Sequence, residues 1–322
     1  MKIYITRQIP EAGIKKLEKK GYEIVINPKD KVLRKEELIA VLKEGNFDAV
    51  LCLLTDKIDD EVLAAAGPKT KIFANYAVGI DNIDLQAAQK RGIVVSNTPG
   101  VLTETVAEFT IGLIFAVTKR IVEADEFTRR GKFVGWAPML FLGSDLKEKT
   151  LGIIGLGRIG GEVARRMHDG FDMNIIYYDA KRNEELEKIY KVKYADLETL
   201  LKTSDIVSIH VPLLPTTRHL ISAKEMAMMK PTAYLVNSSR GPVLDETALV
   251  EALRNKVIRG AAIDVYEKEP ALTPGLADLD NIVITPHIAS ASLETRSKMA
   301  EMAADNIIAA LAGETPPNLV KV

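Results

Sequence analysis

Three side chains that together could transfer a proton stand in the C-terminal half of the chain. Arg240, Glu269 and His287 each follow a predicted strand. Because ligands bind beyond the carboxyl ends of the strands in a parallel sheet, we expect these side chains to meet at one edge. Arginine forms paired hydrogen bonds with a carboxylate, histidine exchanges protons near neutral pH, and a carboxylate fixes the tautomer of a histidine. The set predicts acid–base chemistry on a molecule that contains a carboxylate.

The alternative interpretations of these residues are structural. Taken alone, Arg240 would be a solvated loop residue and Glu269 a turn acid before Pro270, so the prediction depends on their joint placement.

The other three histidines have plainer interpretations. His168 lies in a predicted helix and His219 lies beside Arg218 in a predicted loop, so we expect both at the surface. His210 ends a predicted strand and could either contact a cofactor or cap the edge of the sheet.

A glycine-rich stretch precedes these residues. Gly155, Gly157 and Gly160 have the spacing G-x-G-x-x-G, between a short apolar strand and the start of a helix. The first glycine allows the chain to reverse, the second lets a pyrophosphate approach the backbone, and the third lets the helix pack close to the strand. The N-terminus of the helix then offers unpaired N–H groups to phosphates. The stretch predicts a dinucleotide site.

An acidic residue stands where such a site needs one. Asp179 ends the next predicted strand, 22 residues after Gly157, near the spacing of about 20 expected for a ribose-binding acid. The alternative is a structural glycine turn with Asp179 as a solvated acid. The order of strand, turn, helix, strand and acid favours the nucleotide interpretation.

The elements that must position these residues alternate between strands and helices. Residues 1–99 contain five short β-branched runs separated by amphipathic helices, which predicts a parallel sheet covered on both faces. Residues 100–131 predict one long helix, with Thr103 as a candidate cap and Gly131 as a candidate stop. Residues 132–147 read as an irregular segment whose apolar side chains need a partner surface, within the chain or on a second subunit.

The pattern restarts at Lys149 and predicts six strands with crossover helices, which make a doubly wound sheet. A last helix, Leu293–Ala312, is expected to return to the first domain.

Composition narrows the class of protein. The 322 residues are 47% hydrophobic and 27% charged, and the formal net charge is −1, so we expect two globular domains that bind neither nucleic acid nor a membrane. The apolar helix Phe109–Val117 is too short to span a bilayer. The single cysteine, Cys52, lies in an apolar run and is expected to be a buried structural thiol. We expect a cytoplasmic protein and predict no metal site.

Seven motifs across nearly the whole chain resemble those of the D-isomer-specific 2-hydroxyacid dehydrogenases. They are VGIDNID (78–84), NTPGVLTETVAE (97–108), LGIIGLGRIG (151–160), HVPLLPTTRHLI (210–221), VNSSRGPVLDE (236–246), GAAIDVYEKEP (260–270) and TPHIAS (285–290). Within that family, WAPMLFLG (136–143) and the chain length are most similar to glyoxylate/hydroxypyruvate reductases.

The resemblance implies an α/β fold of two domains. A doubly wound Rossmann domain that binds NAD, at residues 100–287, would be inserted into a smaller flavodoxin-like α/β domain that binds substrate, at residues 1–99 plus 288–322. It further implies a homodimer that acts on a small 2-oxo or 2-hydroxy acid.

The resemblance also implies a role for each matching residue. His287 would be the acid/base, Glu269 its partner, and Arg240 the residue that binds the 2-oxo acid and polarises its carbonyl. Backbone amides of Val78 and Gly79 would hold the substrate carboxylate, and Leu53 would line the pocket. The cofactor-binding residues would be Thr103, Gly155, Leu156, Gly157, Arg158, Ile159, Gly160, Asp179, His210, Pro212, Thr217, Ser238, Asp264 and His287.

Asp179 decides the expected cofactor. A carboxylate accepts hydrogen bonds from the ribose hydroxyls of NAD and repels the 2′-phosphate of NADP. Lys181 and Arg182 could soften that repulsion, although both read as solvated charges. The sequence therefore predicts NAD, with NADP the weaker alternative.

The predicted activity is NAD(H)-dependent reduction of glyoxylate or hydroxypyruvate to the D-2-hydroxy acid. One alternative is 3-phosphoglycerate dehydrogenase or another D-2-hydroxyacid dehydrogenase. A phosphite-oxidising relative is less favoured, because Val78 supplies no cationic side chain beside Gly79. A third alternative, of a different class, is a non-catalytic NAD-sensing protein that resembles the corepressors related to this family.

Overall fold

The computed structural model describes residues 1–321, and the chain divides into two compact units. The first unit contains Met1–Leu102 and the C-terminal stretch that starts at Ala291, and the second unit is Thr103–Ser290. Each unit has its own parallel sheet and its own apolar core.

The sheet of the first unit has five parallel strands. The strands are β1 (Lys2–Ile5), β2 (Glu23–Ile26), β3 (Ala49–Leu53), β4 (Ile72–Tyr76) and β5 (Val94–Ser96), in the order β2-β1-β3-β4-β5. In the register between β3 and β4, Leu53 is paired with Tyr76. The loops that follow these two strands therefore begin side by side. Cys52 is fully buried in β3, as predicted, and burial raises the pKa of its thiol.

The helices of the first unit are α1 (Glu11–Glu18), α2 (Lys35–Gly45), α3 (Asp60–Ala65), α4 (Leu85–Lys90) and the last helix of the chain, α12 (Leu293–Ala312). Asp59 and Asp84 cap α3 and α4 by accepting hydrogen bonds from Val62 N and Ala87 N. The contact between α1 and α12 is close, because a Cβ on Gly13 would lie 2.5 Å from the carbonyl oxygen of Ala300.

The sheet of the second unit has seven parallel strands. They are β6 (Thr150–Ile154), β7 (Asn174–Tyr178), β8 (Lys193–Tyr194), β9 (Ile206–Ile209), β10 (Tyr234–Asn237), β11 (Gly260–Ile263) and β12 (Ile282–Ile284), in the order β12-β11-β10-β9-β6-β7-β8. The strand order reverses between β6 and β9, which is the topological switch point of a doubly wound sheet. The predicted fold class is therefore confirmed.

The prediction of six strands in this unit was wrong by one. The additional strand, β8, contains only two residues and pairs with Ile176 and Tyr177 of β7 at the sheet edge. Both of its residues are exposed, so no apolar pattern marks it in the sequence.

The helices of the second unit are α5 (Thr103–Thr118), α6 (Ile121–Arg129), α7 (Arg158–Phe171), α8 (Glu184–Tyr190), α9 (Leu197–Thr203), α10 (Ala223–Met228) and α11 (Glu246–Arg254). No helix within residues 1–321 combines the length and the apolar character needed to cross a bilayer.

The single long helix predicted for residues 100–131 is two helices in the structure. α5 ends at Thr118, whose carbonyl oxygen accepts a hydrogen bond from Ser144 N, and Arg120 then adopts a left-handed φ of 55°. Thr103 is the first helical residue and not the cap. Gly131 follows the end of α6 with a positive φ, in agreement with its predicted role as a stop.

Residues 132–142 form an irregular segment that we call the exposed arm. Its apolar side chains are open to solvent: Phe133 is 57% exposed, Val134 98%, Trp136 84% and Met139 75%. At its end, the arm returns to the unit, where the ring of Phe141 packs edge-on against Phe127 and Leu142 O accepts a hydrogen bond from Arg259.

Candidate active site

Glu269 and His287 are in direct contact in the second unit. They lie on the loops after β11 and β12, and Nδ1 of His287 is 2.9 Å and 3.1 Å from the two carboxylate oxygens of Glu269. An ionised carboxylate only accepts hydrogen bonds, so Nδ1 has to be the protonated nitrogen of the neutral ring. Nε2 is then the atom that can exchange a proton with a ligand.

Several neighbours keep Glu269 ionised. Burial acts to raise its pKa, but the hydrogen bond and charge of His287, the N–H of Tyr266 and the charge of Arg240 outweigh burial and lower it. The Tyr266 N–H donates to Oε1 of Glu269 over 3.0 Å. An imidazolium at His287 would therefore always face a negative charge.

A buried aspartate holds the loop that contains His287. The carboxylate of Asp264 is fully buried and accepts hydrogen bonds from Ile288 N (2.9 Å), Ala289 N (2.8 Å) and the Thr285 hydroxyl (2.6 Å). The backbone carbonyl of Asp264 also accepts from His287 N at 2.9 Å. These bonds stabilise a left-handed backbone at His287, with a φ of 54°. The Asp264 side chain, a predicted cofactor contact, is thus used within the protein.

Arg240 lies at the same edge of the sheet, after β10. The next residue, Gly241, packs so closely on the Glu269 loop that a Cβ there would lie 1.9 Å from the carbonyl carbon of Tyr266. Nη1 of Arg240 donates to Ser239 O at 2.8 Å, and its charge lowers the pKa of Glu269. The three side chains that the sequence singled out are thus brought to one edge.

The glycine turn after β6 fits a dinucleotide pyrophosphate. Gly155 has a φ of 97°, and a Cβ there would lie 2.9 Å from the backbone of His210, whereas a Cβ on Gly160 would lie 2.2 Å from Gly155 O. A Cβ on Gly157 would meet nothing within 4 Å, so the space above it is open. α7 begins directly after Gly157 and has no side-chain cap. Its first N–H groups can therefore bind an anion.

Asp179 lies at the end of β7 beside this turn. One of its carboxylate oxygens accepts a hydrogen bond from Leu156 N at 3.0 Å. A cavity of about 480 Å³ next to it is lined by Leu156, Tyr177, Asp179, Lys181, Arg182, Asn183, Glu184 and Leu186. Arg182 is paired with Glu187 through contacts of 2.7 Å and 3.0 Å. The cavity thus lies beside the glycine turn and includes the acid that, in a nucleotide-binding sheet, accepts hydrogen bonds from the ribose.

His210 and Ser238 end the neighbouring strands on this edge. Nε2 of His210 is 2.8 Å from Ser208 Oγ, and burial lowers the pKa of His210 to about 4, so the ring is neutral at neutral pH. Ser238 Oγ is 2.7 Å from Thr110 Oγ1 on α5, the helix that begins at Thr103.

The loop after β9 contains two further predicted contacts. Thr217 donates to Pro212 O at 2.6 Å and accepts from Leu214 N, which closes this loop.

The predicted substrate residues of the first unit lie together at the carboxyl edge of its sheet. Leu53 ends β3, whereas Val78 and Gly79 follow β4. Two carbonyl oxygens of the loop accept hydrogen bonds from amide side chains, Val78 O from Asn97 (2.8 Å) and Gly79 O from Asn75 (2.9 Å). The peptide units 78–79 and 79–80 are thereby held in a fixed direction.

Two residues of this network were not singled out in the sequence. Asn75 and Asn82 are hydrogen-bonded to each other at 3.1 Å, and Asn82 also donates to Leu53 O at 3.1 Å. The signal was a polar residue inside a buried strand, because Asn75 is fully buried in β4.

A second histidine–glutamate contact was also missed. His219, expected as a plain surface residue, has Nε2 2.7 Å from Oε1 of Glu267. His168 makes only a local contact, from Nδ1 to Met173 O. Within residues 1–321, no group of three or more His, Cys, Asp or Glu side chains is arranged to hold a metal ion.

A further cavity of about 690 Å³ lies at the opposite, amino edge of the second sheet, where Tyr234, Gly260 and Ile282 begin their strands. None of the candidate residues lines it.

The chain is similar to known proteins over nearly its whole length. Residues 111–289 match the family model of the D-isomer specific 2-hydroxyacid dehydrogenase NAD binding domain. A glyoxylate reductase of Thermofilum pendens is 52% identical over 99% of this chain and 94% of its own length. A solved protein of Thermus thermophilus has a TM-score of 0.93 and 41% identity, with both chains covered completely.

A second solved relative has a bound cofactor. It is an NADPH-dependent glyoxylate/hydroxypyruvate reductase of Sinorhizobium meliloti, in complex with NADP and malonate. It has a TM-score of 0.85 and 31% identity over 99% of this chain and 96% of its own.

The fold, the glycine turn and the arginine, glutamate and histidine at one sheet edge define an oxidoreductase that uses a nicotinamide cofactor. The chain belongs to the D-isomer-specific 2-hydroxyacid dehydrogenase family.

The neutral state of His210 predicts part of the acid sensitivity of the fold. Folded His210 has a pKa of about 4, against 6.5 for an unperturbed histidine, so below 6.5 the unfolded chain binds the proton first. His210 therefore does not reduce the free energy of unfolding above pH 6.5, but it lowers this free energy progressively as the pH falls from 6.5 towards 4. The loss in the free energy of unfolding is at most about 3.5 kcal/mol, at about 1.4 kcal/mol per pH unit.

Urea unfolding of the apoprotein between pH 7 and pH 4 checks this prediction. His210→Gln should weaken the fall in stability over this interval, whereas His168→Gln should retain it. An identical pH dependence in wild type and His210→Gln would contradict the assignment.

Proposed function

We propose that this protein reduces a short 2-oxo acid, glyoxylate or hydroxypyruvate, to the D-2-hydroxy acid with NADH. The observation on which the proposal depends is the contact of Glu269 with Nδ1 of His287, beside Arg240, at the carboxyl edge of a nucleotide-binding sheet. Relatives named glyoxylate reductase, at about half identity over the full chain, support this choice of substrate.

The proposed chemistry divides the work between three side chains. When bound, the nicotinamide cofactor would supply the hydride for the keto carbon. His287 donates the proton on Nε2 to the oxygen that becomes negative, and Glu269 stabilises the imidazolium from which that proton comes. Arg240 binds the 2-oxo acid and stabilises the negative charge that develops on its carbonyl oxygen.

We assign substrate binding to the first unit and cofactor binding to the second. The amides of Val78 and Gly79 would bind the substrate carboxylate, and Leu53 would limit the size of the acid. Two hydrogen bonds support this role. Ala77 O, in the peptide unit that contains the Val78 N–H, accepts from Thr98 N at 2.8 Å. Val78 O, in the unit that contains the Gly79 N–H, accepts from the Asn97 amide at 2.8 Å. An amide pair that is already oriented binds a carboxylate without a further ordering cost.

NAD is the proposed cofactor because of the charges around Asp179. A ribose 2′-phosphate beside this carboxylate would bring two negative charges together. Arg182 already forms two hydrogen bonds with the carboxylate of Glu187 in the following helix, α8. Lys181 is the other cation of the cavity lining.

We further propose a homodimer in which the exposed arm packs on a second copy of the chain. The most exposed of the large apolar side chains in the arm are Phe133, Val134, Trp136 and Met139, which lie within seven consecutive residues. Large aromatic and Met side chains are the residues enriched at the centres of protein interfaces.

With its single, buried cysteine, the chain is suited to the cytoplasm, where thiols stay reduced.

Removal of His287 should stop turnover without loss of the cofactor. In His287→Asn, we expect kcat for glyoxylate to fall by roughly 10²–10⁴, because proton transfer is lost while the glycine turn is intact. NADH binding, followed by fluorescence titration, should stay within about twofold of wild type.

Arg240→Ala should lower kcat and raise KM together, since the arginine binds the substrate as well as the developing charge.

The control for this experiment is His168→Asn, which should retain wild-type rates. Faster turnover of phosphohydroxypyruvate than of glyoxylate or hydroxypyruvate would contradict the proposed substrate. Tight NADH binding without reduction of any 2-oxo acid would contradict the enzyme role and favour a sensor.

Cofactor preference should follow the charge at position 179. We expect kcat/KM with NADH to exceed that with NADPH by at least about fivefold, since like charges at about 4 Å cost roughly 1 kcal/mol or more. Asp179→Asn, which keeps the shape and removes the charge, should narrow this ratio, whereas Glu184→Gln in the same cavity should change it less. Equal or faster rates with NADPH in the wild type would overturn the assignment.

Sedimentation should show a particle of twice the 35.4 kDa chain mass. Replacing Val134 and Trp136 together by Asp should raise the dissociation constant by roughly 100-fold or more, because each buried apolar anchor contributes about 1.5–3 kcal/mol. Leu293→Asp changes a side chain that is 78% exposed on α12 and should leave the dimer intact. A monomeric wild-type protein at micromolar concentration is the result that contradicts this prediction.

A further inference from the structure

His219 connects the loops that contain two of the proposed catalytic residues. Its backbone N donates to Pro242 O at 2.8 Å, on the loop that contains Arg240. Its Nε2 lies 2.7 Å from Oε1 of Glu267, on the loop that contains Glu269. His219 itself has a left-handed φ of 48°, so the chain turns sharply at the point of contact.

Glu246 holds the same loop from the other side. It is the first residue of α11 and is 1% exposed. One carboxylate oxygen accepts a hydrogen bond from Glu267 N, and the other accepts from the Thr273 hydroxyl at 2.6 Å. In return, Glu246 N donates to Oε1 of Glu267 at 3.2 Å. The two glutamates thus satisfy each other's backbone N–H groups.

The backbone between these anchors has little room to move. Tyr266 N donates to Glu269, its hydroxyl donates to Thr285 O at 2.8 Å, and its carbonyl group lies against Gly241 with no space for a Cβ. A shift of Glu267 would therefore be transmitted to Tyr266 and, through it, to the Glu269 carboxylate.

The charges in this loop also require such anchors. Glu246, Glu267 and Glu269 are close enough that, after burial itself, the charges of the other two raise the pKa of Glu246. Repulsion between these carboxylates favours loop conformations in which they lie farther apart. The Glu267 N–H, the Thr273 hydroxyl and the His219 imidazole each supply a donor that opposes this repulsion.

We propose that Glu246 and His219 are positioning residues that hold the segment 266–269 so that Glu269 stays on Nδ1 of His287 beside Arg240. This inference rests on the function proposed above for those three side chains. Neither positioning residue needs to touch substrate or cofactor, because each acts through the backbone or side chain of Glu267.

The kinetic test compares an alanine with an amide at position 246. In Glu246→Ala, kcat for glyoxylate should fall roughly 10- to 100-fold, the size of effect that a displaced catalytic group produces. KM and the dissociation constant of NADH should change less than about threefold. Glu246→Gln should recover most of the rate, since its amide oxygen can accept from Glu267 N and its amide nitrogen can donate to Thr273. Glu251→Ala, an exposed glutamate of the same helix, is the matched control.

His219 provides a second variant that does not disturb the buried carboxylate. His219→Ala should lower kcat by about two- to fivefold, because its pair with Glu267 is partly exposed. His219→Gln, whose amide can still donate to Glu267, should recover the loss. Equal rates for wild type, Glu246→Ala and His219→Ala would overturn the proposal.

A spectroscopic readout separates this inference from the proposed function. In protein with ¹⁵N-labelled histidine, the His287 resonances, assigned with His287→Asn, report which ring nitrogen is protonated. Glu246→Ala should shift them away from the Nδ1–H form, whereas Glu246→Gln and Glu251→Ala should match wild type. If no 2-oxo acid is reduced, this shift still supports the positioning role. Unchanged resonances, or equal losses of kcat, NADH binding and thermal stability, would contradict it.

Discussion

The geometry of the candidate active site depends on a carboxylate held against Nδ1 of a histidine. Both carboxylate oxygens of Glu269 lie within 3.1 Å of Nδ1 of His287. Glu269 stays ionised because nearby cationic and N–H groups lower its pKa by more than burial raises it. An imidazole that is bound in this way has one defined tautomer and one nitrogen available to a ligand. The left-handed backbone of His287, the buried Asp264 carboxylate and the absence of a Cβ at Gly241 all serve this geometry.

The parallel sheet explains why a nucleotide turn and an acid–base pair share one edge. In the second unit, the strand order reverses between β6 and β9, and the glycine turn follows β6. The loops after β10, β11 and β12 bring Arg240, Glu269 and His287 to the same side. A cavity at the amino edge is somewhat larger, but no proposed catalytic residue lines it.

The polar loops of the two units are held in place by different kinds of hydrogen bond. In the first, neutral amide side chains of Asn75 and Asn82 bind carbonyl oxygens, which leaves the loop without added charge. In the second, carboxylates of Asp264 and Glu246 bind backbone N–H groups, and the negative charge that this introduces is met by His219, Arg240 and His287. The second arrangement suits the proposed chemistry, in which the site stabilises an imidazolium.

The sequence by itself determined the fold class, the glycine turn, the acid after the second strand of the nucleotide unit, and the strand ends at which Arg240, Glu269 and His287 lie. These features depend on local periodicity and on spacing within one strand–turn–helix unit, which neighbouring residues specify. Only the tertiary structure decided where α5 ends, that β8 exists, and that His219 and Glu246 hold the Glu269 loop. Each of these depends on a partner far along the chain: Ser144 for Thr118, β7 for β8, and Glu267 for both positioning residues. Such contacts form only when loops from separate strands are packed together, so no local pattern records them.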